Sequence, residues 1–175
     1  MATIIPLRGK TPIFGERCFF AENSTIIGDV IMGDDCSIWF NAVIRGDVNS
    51  IRIGNLVNIQ DGAVVHCNYR DSVTIIEDNV SVGHNAIIHG AHVGKNVIIG
   101  MGAIVMDHSV IGEGSIIAAG TVITKNSVVD PGTVYGGTPG RLIRKQRPED
   151  LSRLTKRSAE HYKMYMKWYS GDMER

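Results

Sequence analysis

The chain has 175 residues, enough for one ordinary domain with a real core. Its 18 basic and 18 acidic residues cancel and no basic stripe stands out, which argues against nucleic acid as a partner. No apolar run is long enough for a bilayer and the first residues lack a secretory signature, so no membrane association is expected; Cys18, Cys36 and Cys67 read as reduced thiols of a cytoplasmic protein.

The composition includes 20 glycines, and Val and Ile dominate the apolar set. That mix fits many short strands joined by tight corners. In chain order, Met32, Ile38 and Ile44 form a first series of aliphatics six residues apart. The next step, to Ile53, is nine residues, so "RGDVNS" is expected to bulge at a corner. Ile53, Ile59 and Val65 resume the period. Eleven residues then separate Val65 from Ile76, and "HCNYRDSVTI" is expected to carry a loop of about five extra residues. Ile76, Val82 and Ile88 follow, and then an unbroken run through Val93, Ile99, Val105, Ile111, Ile117, Ile123 and Val129.

A fixed hexapeptide period predicts an all-β solenoid, a parallel β-helix built from short strands. Three hexapeptides close one triangular coil, so equivalent positions return about every 18 residues. A β-sandwich would instead alternate with period two. The last segment, "RPEDLSRLTKRSAEHYKMYMKWYSG", has no hexapeptide. Leu151, Leu154, Ser158, Tyr162, Tyr165 and Tyr169 fall at helical spacing, and Pro148, Glu149 and Asp150 suit a first helical turn. The expected organisation is a β-helix over 1–146 and, over 147–175, a C-terminal α-helix along its outside.

Stacking the coils places the histidines. Aligning "IQDGAVVH" with "VGHNAIIH" puts His66 directly over His89, with Arg45 above and Met106 below in the same column. Neighbouring parallel strands lie about 4.8 Å apart, so two such imidazoles can ligate one metal. His84 falls in another column, between Asp61 and Met101, across a corner from His89. A second chain packed on this face would be needed to bring its His84 to the pair, and a triangular prism with a site on each shared face closes as a trimer. Imidazole sets of this kind suit zinc, iron or cobalt. His92, His108 and His161 read as ordinary hydrogen-bonded or exposed histidines, and Cys67 as a buried or corner thiol.

The blocks "NAVIRGD", "NIQDGAVVH", "VSVGHNAIIHG" and "VIIGMGAIVMDHSVIG", followed by "VYGGTPGRLIR", resemble the gamma-class carbonic anhydrase family over nearly the whole chain, closest to its short bacterial, hexapeptide-transferase-like members. The resemblance implies a left-handed β-helix, a homotrimer and three interfacial metal sites holding Zn2+, with Fe2+ or Co2+ as alternatives. It implies His66, His84 and His89 as metal ligands. It implies Arg45 and Asp47 as the interface pair that orders the site, and Gln60 as the glutamine near the reacting water with Asp61 its acidic neighbour. Tyr162 matches a helix tyrosine lining the pocket. Two features depart from the family pattern. Val48 stands where a glutamate usually follows the Arg-x-Asp motif, and the loop after His66 is short, with Asp71 its only acid. The metal site is intact by motif and the proton-transfer groups are not.

The implied activity is reversible hydration of carbon dioxide to bicarbonate by hydroxide made on the metal. Competing readings are an acyltransferase or thioesterase working on a coenzyme A thioester in the same kind of groove, and a non-catalytic trimeric metal-binding module. Metal content and carbon dioxide turnover separate them.

Overall fold

The computed structural model describes residues 1–170; the side chains of residues 148, 151–157, 159 and 170 lie outside the described set. The roles expected of Leu151 and Leu154, and residues 171–175 of the expected C-terminal segment, are therefore outside the described residues.

The expected solenoid is borne out. It is a parallel β-solenoid of about seven turns with one C-terminal helix. Short strands stack in three columns. One column runs through Val43–Ile53, Val64–His66, Ile87–His89, Ile104–Val105 and Val122–Ile123. The long Val43–Ile53 strand bends round a corner and joins this column to a second, Thr74–Ile76, His92–Val93, Val110–Ile111 and Val128–Val129. The third column runs from Phe19–Phe20 through Ser37–Ile38, Asn58–Ile59, Ser81–Val82 and Ile98–Ile99 to Ile116–Ile117.

The hexapeptide explains the core. One aliphatic per six residues points into the prism, so Ile44, Val65, Ile88 and Val105 stack in one column and Ile38, Ile59, Val82 and Ile99 in another, all fully buried. Burial of each such side chain contributes about 1.5–3 kcal/mol, and no coil alone can bury its own. The corners require the left-handed backbone region. Asn41, Asn85, Asn96 and Asn126 occupy it at φ between 56° and 62°, as short polar side chains tolerate best.

Both irregularities fall where the spacing puts them. Gly28 pairs with Gly46 but Val30 pairs with Ile51, so the bulge lies between them. The second insertion spans the turn between the strands Val64–His66 and Thr74–Ile76. The end of the solenoid was not legible as structure. "TVYG" and "RLIRK" form an antiparallel pair, Thr133–Gly136 with Arg141–Lys145, that closes the third column.

The helix Pro148–Ser170 packs on the strands Ser37–Ile38 and Ser81–Val82. Trp39 anchors it edge-on to Tyr162, Tyr165 and Tyr169, at ring separations of 5.4, 6.5 and 5.6 Å. Edge-to-face packing suits aromatic quadrupoles, so the tyrosine spacing read from the sequence is the docking face. Among the described residues, no helix is long and apolar enough to cross a membrane.

Candidate metal centre

His66 and His89 are register partners on adjacent strands, as the stacking predicts. Both side chains point out of the prism, because each follows a buried Val65 or Ile88 and strand side chains alternate. His66 Nδ1 and His89 Nε2 face each other at 3.1 Å. The opposite nitrogens are taken by carboxylates. His66 Nε2 lies 2.9 Å from Asp47 Oδ1, and His89 Nδ1 lies 3.0 Å from Asp107 Oδ1.

These contacts favour one tautomer of each ring. With the proton of each neutral imidazole on the nitrogen beside its carboxylate, the facing nitrogens both present lone pairs. Two lone pairs 3.1 Å apart repel unless a cation lies between them. Two nitrogens on one tetrahedral ion at about 2.05 Å would be about 3.3 Å apart, so the pair fits a divalent ion. Such carboxylate–histidine pairs orient metal-binding imidazoles and raise their basicity.

The third histidine stands apart. His84 Nδ1 lies 2.8 Å from Asp61 Oδ2, so its Nε2 keeps the lone pair. Its side chain is 43% exposed. Among the described residues, no three His, Cys, Asp or Glu side chains of one chain group to hold a metal ion. The expected column separation of His84 from the other two is therefore present, and each of the three imidazoles is backed by its own carboxylate.

The carboxylates are held as anions. Burial works to raise the Asp47 pKa, but hydrogen bonds from His66 and Arg45 outweigh it and keep it below the ordinary carboxylate value. Burial likewise opposes Asp107, and hydrogen bonds from Ser72 and His89 keep it low. The Arg45–Asp47 ion pair closes within one chain. The reason is local: residues two apart on a strand project from the same face.

Asp107 is the functional candidate that sequence reasoning missed. It gathers the inserted loop around the centre. Ser72 Oγ donates to it at 2.7 Å and Asn68 Nδ2 at 3.0 Å, beside its contact with His89. Gly90 makes room. Its φ is +59°, and an added Cβ would overlap Ser72 Oγ and Asp107 Oδ1. The signal was present in "MDH", since Met106 had been placed in the histidine column and Asp107 follows it.

Gln60 lies away from the histidine column, beneath the helix. Its Nε2 donates to Asn58 Oδ1 at 3.0 Å, Asn58 Nδ2 donates to Ser81 Oγ at 2.8 Å, and Ser81 Oγ lies 2.6 Å from Ser158 Oγ of the helix. Tyr162 is half-buried against Trp39. Burial, and then the charge of Asp61, push its phenol pKa well up, so the hydroxyl stays protonated. Gln60 and Asp61 are one residue apart in the chain, and Asp61 links this region to His84. Val48 packs half-buried against the core. Asp71 is engaged by His108 Nε2 at 3.2 Å and by Lys125 Nζ at 3.8 Å.

A prism of hexapeptides carrying carboxylate-backed histidines on its face belongs among the hexapeptide-repeat proteins. The family model described as "Bacterial transferase hexapeptide (six repeats)" matches residues 11–46 and 90–125, and "Hexapeptide repeat of succinyl-transferase" matches 73–106. The chain is 48% identical to a "Carbonic anhydrase" of Geobacillus kaustophilus over 158 residues, covering 90% of this chain and 86% of that protein. It is 39% identical over 165 residues to "Gamma carbonic anhydrase 1, mitochondrial" of Arabidopsis thaliana, covering 91% of this chain and 60% of that longer protein. The chain belongs to the gamma carbonic anhydrase family. A crystal structure of a hexapeptide transferase family protein from Anaplasma phagocytophilum superposes with a TM-score of 0.89 at 40% identity, covering 95% of this chain and 98% of that one.

Proposed function

We propose that this protein catalyses reversible hydration of carbon dioxide to bicarbonate at metal centres shared between the chains of a homotrimer. His66 and His89 come from one chain and His84 from its neighbour. The observation that carries the reading is the facing pair of imidazole nitrogens 3.1 Å apart, each ring held from behind by a carboxylate. Zn2+ is the expected ion, with Fe2+ and Co2+ suited to the same ligands. Bound there, such an ion supplies Lewis acidity that brings the pKa of water from about 15.7 to about 7.

The chain's own residues do the rest. Asp47, Asp61 and Asp107 hold the three imidazoles in one tautomer and one orientation. Arg45 neutralises Asp47 and keeps it aimed at His66. Gln60, with its NH2 group engaged by Asn58, accepts a hydrogen bond from the reacting water or from the hydroxyl of bicarbonate through Oε1. Tyr162, a neutral phenol, acts as a donor and not as a base. Residues 1–146 carry every ligand in this reading, and Ser158 of the C-terminal helix meets the polar chain that ends at Gln60.

Proton removal is the weak step. Val48 carries no proton, and Asp71 is already engaged by His108 and Lys125. General acid–base assistance is worth about 10²–10⁴-fold, so turnover depends on dissolved buffer. The test is stopped-flow hydration on protein purified without air and reconstituted separately with zinc, cobalt and ferrous iron. Hydration with at least one metal is expected, rising with an imidazole-type buffer while kcat/KM changes little. Full metal occupancy with no hydration by any of the three would remove this reading.

A further inference from the structure

The N-terminal end of the solenoid holds two thiols in neighbouring coils. Phe19 and Ser37 are register partners, and Cys18 and Cys36, one residue before each, share a column. The Phe19 amide donates to the Cys36 carbonyl at 2.8 Å. Adjacent strands lie about 4.8 Å apart, which falls inside the Cα window of about 4.4–6.8 Å that a disulfide requires. Each thiol rests against a carbonyl of the corner below: Cys18 Sγ lies 3.2 Å from Gly33 O and Cys36 Sγ 3.1 Å from Gly54 O.

The two differ in access. Cys36 is fully buried. Cys18 is half-buried and lines a groove of about 730 Å³ between the solenoid and the C-terminal helix. Phe19, Met164 and Met166 give that groove an apolar wall, with Arg17 and Lys163 at its edge. Their neighbouring positions divide their roles. A hydrogen bond from Cys36 draws the Cys18 pKa down to about 7, against burial and the charges of Asp34 and Asp35. Cys36 keeps its proton, its pKa pushed far up by the same contact and by burial. Cys67, the third thiol, is buried and pushed up to about 11, chiefly by that burial.

We propose that Cys18 and Cys36 form a peroxide-reactive dithiol site, in which Cys18 is the attacking thiol and Cys36 the resolving one. The Cys18 thiolate attacks one oxygen of hydrogen peroxide, the O–O bond breaks, and hydroxide leaves, taking up a proton to become water. Cys18 is then a sulfenic acid. The Cys36 sulfur attacks the Cys18 sulfur, the S–O bond breaks, and the departing hydroxyl leaves as a second water with the Cys36 proton. Two thiols are oxidised by two electrons, one peroxide is reduced, and the disulfide ties neighbouring coils together.

The test treats the full-length, reduced protein with stoichiometric hydrogen peroxide and reads intact mass and non-reducing peptide maps. The monomer should lose two hydrogens and yield a linked Cys18–Cys36 peptide, reversed by dithiothreitol. Cys36→Ser should stop at a Cys18 sulfenic acid trapped by dimedone, and Cys18→Ser should leave Cys36 reduced. A measurement on the unsubstituted protein guards against misfolded variants: iodoacetamide should label Cys18 at least about ten-fold faster than Cys67, because the thiolate is the nucleophile. Cys67 reacting first would overturn the proposal. So would a Cys18 that oxidises without linking to Cys36, or one that links only between chains.

Discussion

Two stretches of the solenoid use the same hexapeptide to different ends. In the lower coils Ile99 pairs with Ile117 and Val105 with Ile123, each 18 residues on. In the upper coils Ile38 pairs with Ile59, 21 residues on, and His66 with His89, 23 residues on. In the lower coils the glycines at positive φ face open space: an added Cβ at Gly102, Gly120 or Gly132 would meet nothing within 4 Å. Around the histidines the space at such glycines is filled, at Gly62 by Asn85 and at Gly90 by Ser72 and Asp107. The regular coils supply a rigid spacing. The residues that break the period bring Asp47 to His66, and Asn68 and Ser72 to the Asp107 carboxylate behind His89.

The largest effect that sharpens this contrast is loss of the metal. His66→Ala and His84→Ala should each abolish stoichiometric metal binding. Mixing the two chains and reassembling them should restore occupancy at some interfaces, because certain pairs then bring three intact histidines together. Metal analysis that finds no more ion in the mixture than in the parents would break the shared-site reading.

Next in size is Arg45→Ala. In the proposed trimer a neighbouring chain covers the Arg45–Asp47 pair, and removing one partner of a covered pair costs about 3–5 kcal/mol. Dissociation at low concentration, read by ultracentrifugation, is expected together with a lower Tm. A trimer of unchanged stability would place the pair outside the interface.

A pair of glycine substitutions tests the contrast directly. Gly90→Ala should force Ser72 and Asp107 away from His89 and weaken metal binding by about 10–100-fold, the usual effect of losing a partner behind a ligand. Gly102→Ala, also at positive φ (65°) but in open space, should cost only about 1–2 kcal/mol of backbone strain and leave metal affinity unchanged. Equal metal affinities, measured by competition with a chelator, would show that the inserted loop does not support the site.

The smallest effect concerns the corner of the 23-residue step. Asp78 Oδ1 accepts from the Asn55 backbone amide at 2.8 Å, and that bond, against some burial, holds its pKa below the ordinary value. A carboxylate whose pKa is lower folded than unfolded stabilises the fold above its unfolded value of about 3.9 and loses that contribution as pH falls through the folded one. Asp78→Asn should therefore lower Tm slightly at neutral pH and flatten its fall below about pH 4. An unchanged acid limb in thermal scans would assign the corner's stability to the backbone alone.

Much of this was legible without coordinates. Period six over "VIIGMGAIVMDHSVIG" can bury one aliphatic per side of a prism in only one way, so the solenoid, the His66–His89 register and the two insertions follow from counting. The helix followed from Tyr162, Tyr165 and Tyr169 at helical spacing. The closing antiparallel pair Thr133–Gly136 with Arg141–Lys145 did not, because "GGTPG" marks a turn without saying which strand comes back.

What the sequence by itself determined is which residues share a column, since a repeat of fixed length makes register a matter of arithmetic. What only the tertiary structure decided is what each side chain does on reaching its column. Asp107 behind His89, Asp61 behind His84, the intrachain closure of Arg45 on Asp47 and the Ser158–Ser81–Asn58 chain to Gln60 depend on rotamers and on which loop folds over which corner. Those choices are made by contacts between residues up to 77 positions apart, as between Ser81 and Ser158, and no local period carries them.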